Sequence, residues 1–374
     1  MNLSQTGVSA HTMGSTLDNY SKTLNTLKEK GKPIIGYFTN RVPVEILHAM
    51  NLHPVRILSF GQQNQGASER YLQTFACSWL RQIMDIGLAQ GYETIDGIIF
   101  SAGTCDSLQN LSDIWKKVFP DQWTHNLTFP VLTSNPLANE YLQSEFETLI
   151  EVLSSRFLKD DNEIKLSSSI KLYNIKRANL LKISGFVSER KMKYNEFAKL
   201  LLFSDLLPVE TVNEYLEKLI TELLDFQNGT AAISPRILLV GGMYDNYKLF
   251  EVPEFDYLVA DDLAFGTRNF NFQIPQDSFL PRYSKAYMDR IPESTSFDMN
   301  KRIKFLEELI QGHNIDGIVL LGLKWCDPDA FEFIPIQNHL DEQNIPYLKL
   351  ETSPDISNLQ QIKTRMAAFI EMLS

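Results

Sequence analysis

Cysteine is scarce in this chain. Three occur in 374 residues: Cys77, Cys105 and Cys326. A small, odd number excludes the disulfide framework that holds small secreted domains. No two form a C-x2-C pair, and the six histidines show no H-x-x-x-H spacing, so the common zinc signatures are missing. Basic residues are also in deficit. Lys and Arg total 35 against 46 Asp and Glu, a formal charge of −11, which argues against a nucleic-acid partner. No apolar run reaches the roughly eighteen residues of a membrane helix, so no membrane association is expected. The N-terminal stretch MNLSQTGVSAHTMGSTLDNY has no apolar signal core, and a cytoplasmic protein is expected. G-x-x-x-x-G-K-[ST] is missing, and Gly241-Gly242 does not make G-x-G-x-x-G, so no phosphate loop or nicotinamide site is supported.

What is present is a plan used twice. With 44% apolar and 22% charged residues, the composition is that of an ordinary globular protein, long enough for two domains. In the first unit, Lys32–Asn40, His53–Leu58, Asp96–Ser101 and Thr128–Thr133 read as strands. Helices are expected at Pro43–Leu52, Cys77–Gly91 and Ser107–Phe119. Strand readings recur in the same order at Pro235–Gly242, Phe255–Asp262, Asp316–Gly322 and Ile345–Thr352. Strands alternating with helices favour parallel sheets. The expected fold is α/β, with two Rossmann-like parallel-sheet lobes related by internal duplication and a helical segment between them. The expected boundaries are an N-terminal extension over 1–30, partly flexible or helical, a first lobe over 31–138, a helical segment over 139–230 and a second lobe over 231–374. The N-terminal segment is expected to fray or to drape over a partner.

The duplication extends to chemistry. IDGIIFSAGTCDSLQNL (Ile95–Leu111) and IDGIVLLGLKWCDPDAF (Ile315–Phe331) both pass from a strand into Cys-Asp. Ligands of open parallel sheets collect beyond the carboxyl ends of the strands, where these two cysteines fall. Cys77 stands at a helix start, where free N–H groups and the helix dipole favour a thiolate. None of the three lies inside an apolar strand, where a buried filler would be expected. Three thiols from distant segments suit an iron–sulfur cluster better than zinc. They would leave one iron of four open. A structural zinc or scaffold role is the non-enzymatic alternative. Asp106 and Asp327, each following a cysteine, read as helix caps. Trp325 reads either as a shield of the site or as plain packing.

Seven stretches resemble, in order, a subunit of the 2-hydroxyacyl-CoA dehydratase and benzoyl-CoA reductase family: VPVEILHAMNLHPVRI, FACSWLRQIMDIGL, GTCDSLQNLSDIW, VADDLAFGTRNF, IDGIVLLGLKWCDPDAFEF, IPYLKLETS and QQIKTRMAAFIEML. The resemblance implies a 4Fe–4S cluster on Cys77, Cys105 and Cys326. It implies pairing with a homologous second subunit that carries its own cluster. It also implies a transient, ATP-hydrolysing iron–sulfur activator, with ATP bound there and not on this chain. The implied reactions are ketyl-radical dehydration of a 2-hydroxyacyl-CoA or reduction of an aromatic acyl-CoA ring. In the early region, Thr39 and Glu45 are the candidates for a catalytic role, with a solvated first-turn position the plainer reading of Glu45. Arg268 is the candidate to bind a CoA phosphate or an acyl carbonyl, its plainer reading being a surface ion pair with Asp261 or Asp262. Whether the chain binds substrate or relays electrons is left open.

Overall fold

Apolar runs become buried central strands, and the amphipathic stretches between them become the helices that cover those strands. The computed structural model describes residues 10–59, 66–103, 105–158, 165–226, 234–296 and 298–374. The chain opens with α1 (Ala10–Asp18) and α2 (Tyr20–Lys28). The first lobe follows as β1 (Ile34–Tyr37), α3 (Val44–Ala49), β2 (His53–Arg56), α4 (Ser78–Leu88), β3 (Gly97–Ala102), α5 (Asp106–Val118) and β4 (Trp123–Thr128). Next come α6 (Ala138–Phe157), α7 (Leu166–Ser188), α8 (Tyr194–Ser204) and α9 (Val209–Asp225). The second lobe holds β5 (Ile237–Gly241), β6 (Leu258–Leu263), α10 (Thr267–Phe270), α11 (Leu280–Met288), α12 (Met299–His313), β7 (Gly317–Leu323), α13 (Asp327–Glu342), β8 (Tyr347–Thr352) and α14 (Leu359–Leu373).

Both sheets are parallel and share one topology: β2-β1-β3-β4 and β6-β5-β7-β8. The duplicated α/β plan is thus a property of the fold. One strand lies elsewhere than expected. The fourth strand is Trp123–Thr128, in register from Gly97↔Trp123 to Ala102↔Thr128. Thr128–Thr133 carries more apolar side chains but contains Pro130, which cannot donate to a ladder. Its Val131 and Leu132 are nearly half exposed. β4 is an edge strand with mostly half-buried residues, so its sequence is more polar than a central strand.

The largest core cluster joins the two sheets and the helices around them. A second covers the other face of the first sheet with α3, α6 and α11, and a third lies between the second sheet and helices α12 and α13. From Ala10 the N-terminal segment is helical. Met13, Leu17 and Leu24 are buried in the main core, and the Tyr20 hydroxyl donates to the Arg56 carbonyl at 2.7 Å. Residues 1–9 of that expected extension and 159–164 and 227–230 of the expected helical segment lie outside the described residues.

Asp205, just past α8, joins three parts of the chain. It accepts from Arg56 of β2 at 2.8 Å, from Lys176 of α7 at 2.7 Å and from Asn269 of α10 at 3.1 Å. Burial opposes its charge, but Lys176 and Arg56 outweigh burial and bring its pKa down to about 2.

Candidate metal centre

Each cysteine caps the N-terminus of a helix: Cys77 that of α4, Cys105 that of α5 and Cys326 that of α13. The local backbone explains the two loop cysteines. Past β3, Gly103 takes φ +73° before Cys105; past β7, Trp325 takes φ +65° before Cys326. These left-handed turns break the strand direction and start the next helix. Asp106 and Asp327 are therefore the first helical residues, not the caps. The cysteines are the residues at the N-cap positions, and the carboxylates complement the dipole from within the first turn.

All three cysteines line one cavity of about 460 Å³. That lies within the roughly 300–1,000 Å³ of small-molecule sites. The two lobes meet there. The Cys77 and Cys326 thiols interact directly, and Ser78 N–H donates to the Lys324 carbonyl at 3.0 Å. The Cys326 thiol lowers the Cys77 pKa against the effect of burial, and the Trp79 and Leu80 N–H groups lower it further. Giving that hydrogen bond and being buried both raise Cys326. Burial pushes Cys105 up to about 11, against the Leu108 N–H that donates to its sulfur at 3.4 Å.

The donor set is three thiols, the ligand type of an iron–sulfur cluster. Among the described residues no three His, Cys, Asp or Glu side chains group closely enough to ligate one metal ion. A four-iron cluster takes each thiolate on a separate iron. The free thiols stand at three helix ends around a space larger than a water site.

Trp79, Leu80 and Leu323 give the cavity a buried apolar wall. Trp79 is held by Asp245, which accepts from its Nε1 at 2.9 Å and from the Ser59 N–H at 2.6 Å. Trp325 and Phe331 stand at the mouth, 49% and 72% exposed, so Trp325 is a rim residue and not core packing.

The other candidates lie off the cavity lining. Thr39 is buried and hydrogen-bonded to Ser101. Glu45 is not solvated: it is fully buried, paired with Arg177, and accepts from Tyr283 at 2.8 Å and Tyr287 at 2.7 Å. Burial opposes its charge, but Arg177 and the two hydroxyls hold its carboxyl below the ordinary range. Arg268 does pair with Asp262, at 3.1 Å, but the pair is buried and not on the surface.

Sequence reasoning passed over three polar features near the cysteines. Arg41 is buried, and its Nη2 donates to the Thr295 hydroxyl at 2.7 Å and to Ser296. Ser294, Thr295 and Ser296 line the cavity from a loop between α11 and α12. Asp329, in the first turn of α13, is buried on the cavity wall and hydrogen-bonded to Ser294 and Cys326. Burial, then Glu332, raises it to about 6. Gly242 leaves it room, since a Cβ there would lie 2.3 Å from an Asp329 carboxyl oxygen. The only sequence signal was adjacency: Arg41 precedes VPVE, and Asp329 follows Cys-Asp-Pro.

Residues 39–373 match the family model described as 2-hydroxyglutaryl-CoA dehydratase, D-component. The chain is 26% identical to the beta subunit of lactoyl-CoA dehydratase of Anaerotignum propionicum, over 95% of this chain and 96% of that one. It is 23% identical to a subunit of the benzoyl-CoA reductase of Thauera aromatica, over 92% of both chains. It is also 23% identical to the beta subunit of (R)-2-hydroxyglutaryl-CoA dehydratase of Acidaminococcus fermentans, over 92% of this chain and 94% of that one. With nearly its whole length matched, and the two α/β lobes in place, this chain belongs to the 2-hydroxyglutaryl-CoA dehydratase D-component family.

Proposed function

We propose that this chain is the iron–sulfur subunit of an ATP-dependent radical acyl-CoA enzyme of the 2-hydroxyacyl-CoA dehydratase type. Cys77, Cys105 and Cys326 hold one 4Fe–4S cluster and leave one iron open. The observation that carries this reading is the convergence of three helix-capping cysteines on one cavity. Family membership makes the chain an enzyme subunit of the dehydratase or reductase type.

A bound cluster supplies low-potential electrons and a Lewis-acidic site. The chain's own residues do the positioning. Helix N-termini favour the thiolates. Trp79, Leu80 and Leu323 keep water from the inner wall, while the exposed rim at Trp325 and Phe331 leaves an entrance. The Ser294–Ser296 hydroxyls offer a polar side for the thioester end of an acyl-CoA.

The partners proposed are a homologous second subunit with its own cluster and a transient ATP-hydrolysing activator. The relatives are each named as one subunit of a larger enzyme, which supports a multi-subunit assembly here. A reducing compartment, the cytoplasm, suits three free thiols. Among the described residues no helix is long and apolar enough to cross a membrane.

Aromatic-ring reduction is the second reading, because identity to the reductase relative equals that to one of the dehydratases. Anaerobic purification tests the cluster: about four irons and four acid-labile sulfides per chain are expected. Stoichiometric zinc with no visible absorbance would sink it. Reconstitution with the second subunit, activator and ATP then separates water elimination from ring reduction.

A further inference from the structure

Arg41 carries a positive charge that its surroundings only partly neutralise. It is 4% exposed, and its Nη1 has no hydrogen-bond partner. Its carboxylate neighbour Glu293 stands at 3.6 Å, a loose pair, and also acts on Arg290. Burial disfavours the charged form of Arg41, yet a guanidinium keeps its proton at any pH the fold tolerates. The side chain lies over the Phe129 ring, 4.7 Å from its centroid, so one face sees no water.

This charge sits against the cysteine cavity. Thr295 and Ser296, to which it donates, line the cavity together with Cys105. The Arg41 and Cys105 groups also interact electrostatically. In a site screened from water, such a charge acts over several ångströms.

The geometry points to Arg41 as a positioning residue for electron transfer, a fixed counter-charge that raises the reduction potential of the centre held by Cys77, Cys105 and Cys326. This rests on the cluster reading above. Adding an electron makes the centre more negative, and a nearby positive charge stabilises that state. Glu293 works in the opposite sense by offsetting Arg41. The pair therefore sets how easily the centre accepts an electron, apart from any substrate contact.

Spectroelectrochemical titration of the anaerobic holoprotein tests the inference, with iron and sulfide measured on every sample. Arg41→Met is expected to lower the midpoint potential by about 59 mV or more, a tenfold change in the one-electron equilibrium. Arg41→Lys is expected to restore most of that shift. Glu293→Gln is expected to raise the potential, with Arg41 left in place. This opposite sign is what a merely structural role would not produce. Full cluster content with an unmoved potential, or shifts of the same sign in R41M and E293Q, would overturn the role of Arg41. Should R41M fail to fold, Arg41→Gln, which removes the charge but keeps a polar side chain for Thr295 and Ser296, takes its place. A wild-type protein without iron and sulfide would instead defeat the cluster reading itself.

Discussion

The Ser78 N–H donates to the Lys324 carbonyl over 3.0 Å, joining the start of α4 in the first lobe to the loop after β7 in the second. Cys77 and Cys326 flank this bond, and their thiols interact. The two lobes are thus tied at the place where the candidate cluster site is made. A backbone hydrogen bond contributes only about 0.5–1.5 kcal/mol. Its greater effect here is to hold two loops at one spacing.

Serine variants of the cysteines should separate metal binding from folding. Cys77→Ser, Cys105→Ser and Cys326→Ser are each expected to lose most iron and sulfide while keeping their circular dichroism. Serine preserves the size and capping ability of the residue, so the helices keep their starts. Full cluster occupancy in any of the three would remove that residue from the ligand set.

Asp205 should matter to stability rather than to iron. Its pKa is depressed to about 2 by Lys176 and Arg56, against burial. A carboxylate with a lowered folded-state pKa stabilises above its unfolded value near 3.8, and this contribution is lost as pH falls towards 2. The shift corresponds to about 2 kcal/mol. Asp205→Asn should therefore be less stable at pH 7 in denaturant titration, by at least that amount. The deficit should shrink as pH drops from 4 towards 2. A deficit independent of pH over that range would refute the ionic account.

The elements most legible in the sequence were those with a strong local signature. The central strands Ile34–Tyr37 and Gly317–Leu323 are buried along almost their whole length, so their apolar runs stand out. The three cysteines were legible because loops at strand ends are where sheet ligands gather, and the duplication marked two of them. The edge strand β4 was misplaced because half its surface faces outward and its apolar signal is weak. Glu45 was misjudged for a different reason. Its burial is set by Arg177, Tyr283 and Tyr287, residues more than 100 positions away, and no local pattern encodes such a pairing. Arg41 and Asp329 escaped notice likewise. Their importance comes from a loop, Ser294–Ser296, that reaches them only in the folded chain.

Gly242 should be intolerant of even one methyl group. A Cβ would meet both Asp329 carboxyl oxygens, at 2.3 and 2.4 Å. Asp329 cannot retreat freely, since it is buried and tied to Ser294. Gly242→Ala is expected to cost about 1–3 kcal/mol, as overpacking does, and to lower cluster content by displacing Asp329 from Cys326. Retention of both wild-type stability and full iron would show that the wall is more pliable than the close approach implies.

Trp79 and Asp245 provide the last test, because they link a cavity wall in one lobe to a loop of the other. Asp245 accepts from Trp79 Nε1, from the Ser59 N–H and from the Ser59 hydroxyl, so three donors converge on one buried carboxylate. Little water reaches it, and burial raises its pKa above the usual carboxylate range against the hydrogen bonds of Ser59 and Trp79. Asp245→Ala removes the acceptor of the Trp79 Nε1–H and the Ser59 N–H, and those buried donors are left unpaired. A buried unsatisfied donor costs about 1–3 kcal/mol. Trp79→Phe removes one of those donors and should make the alanine less harmful. A double-mutant cycle of the two changes, read by denaturant unfolding, should therefore give a coupling of about 0.5–3 kcal/mol. Simple additivity would mean that the Trp79–Asp245 bond does not help hold the cavity wall in place.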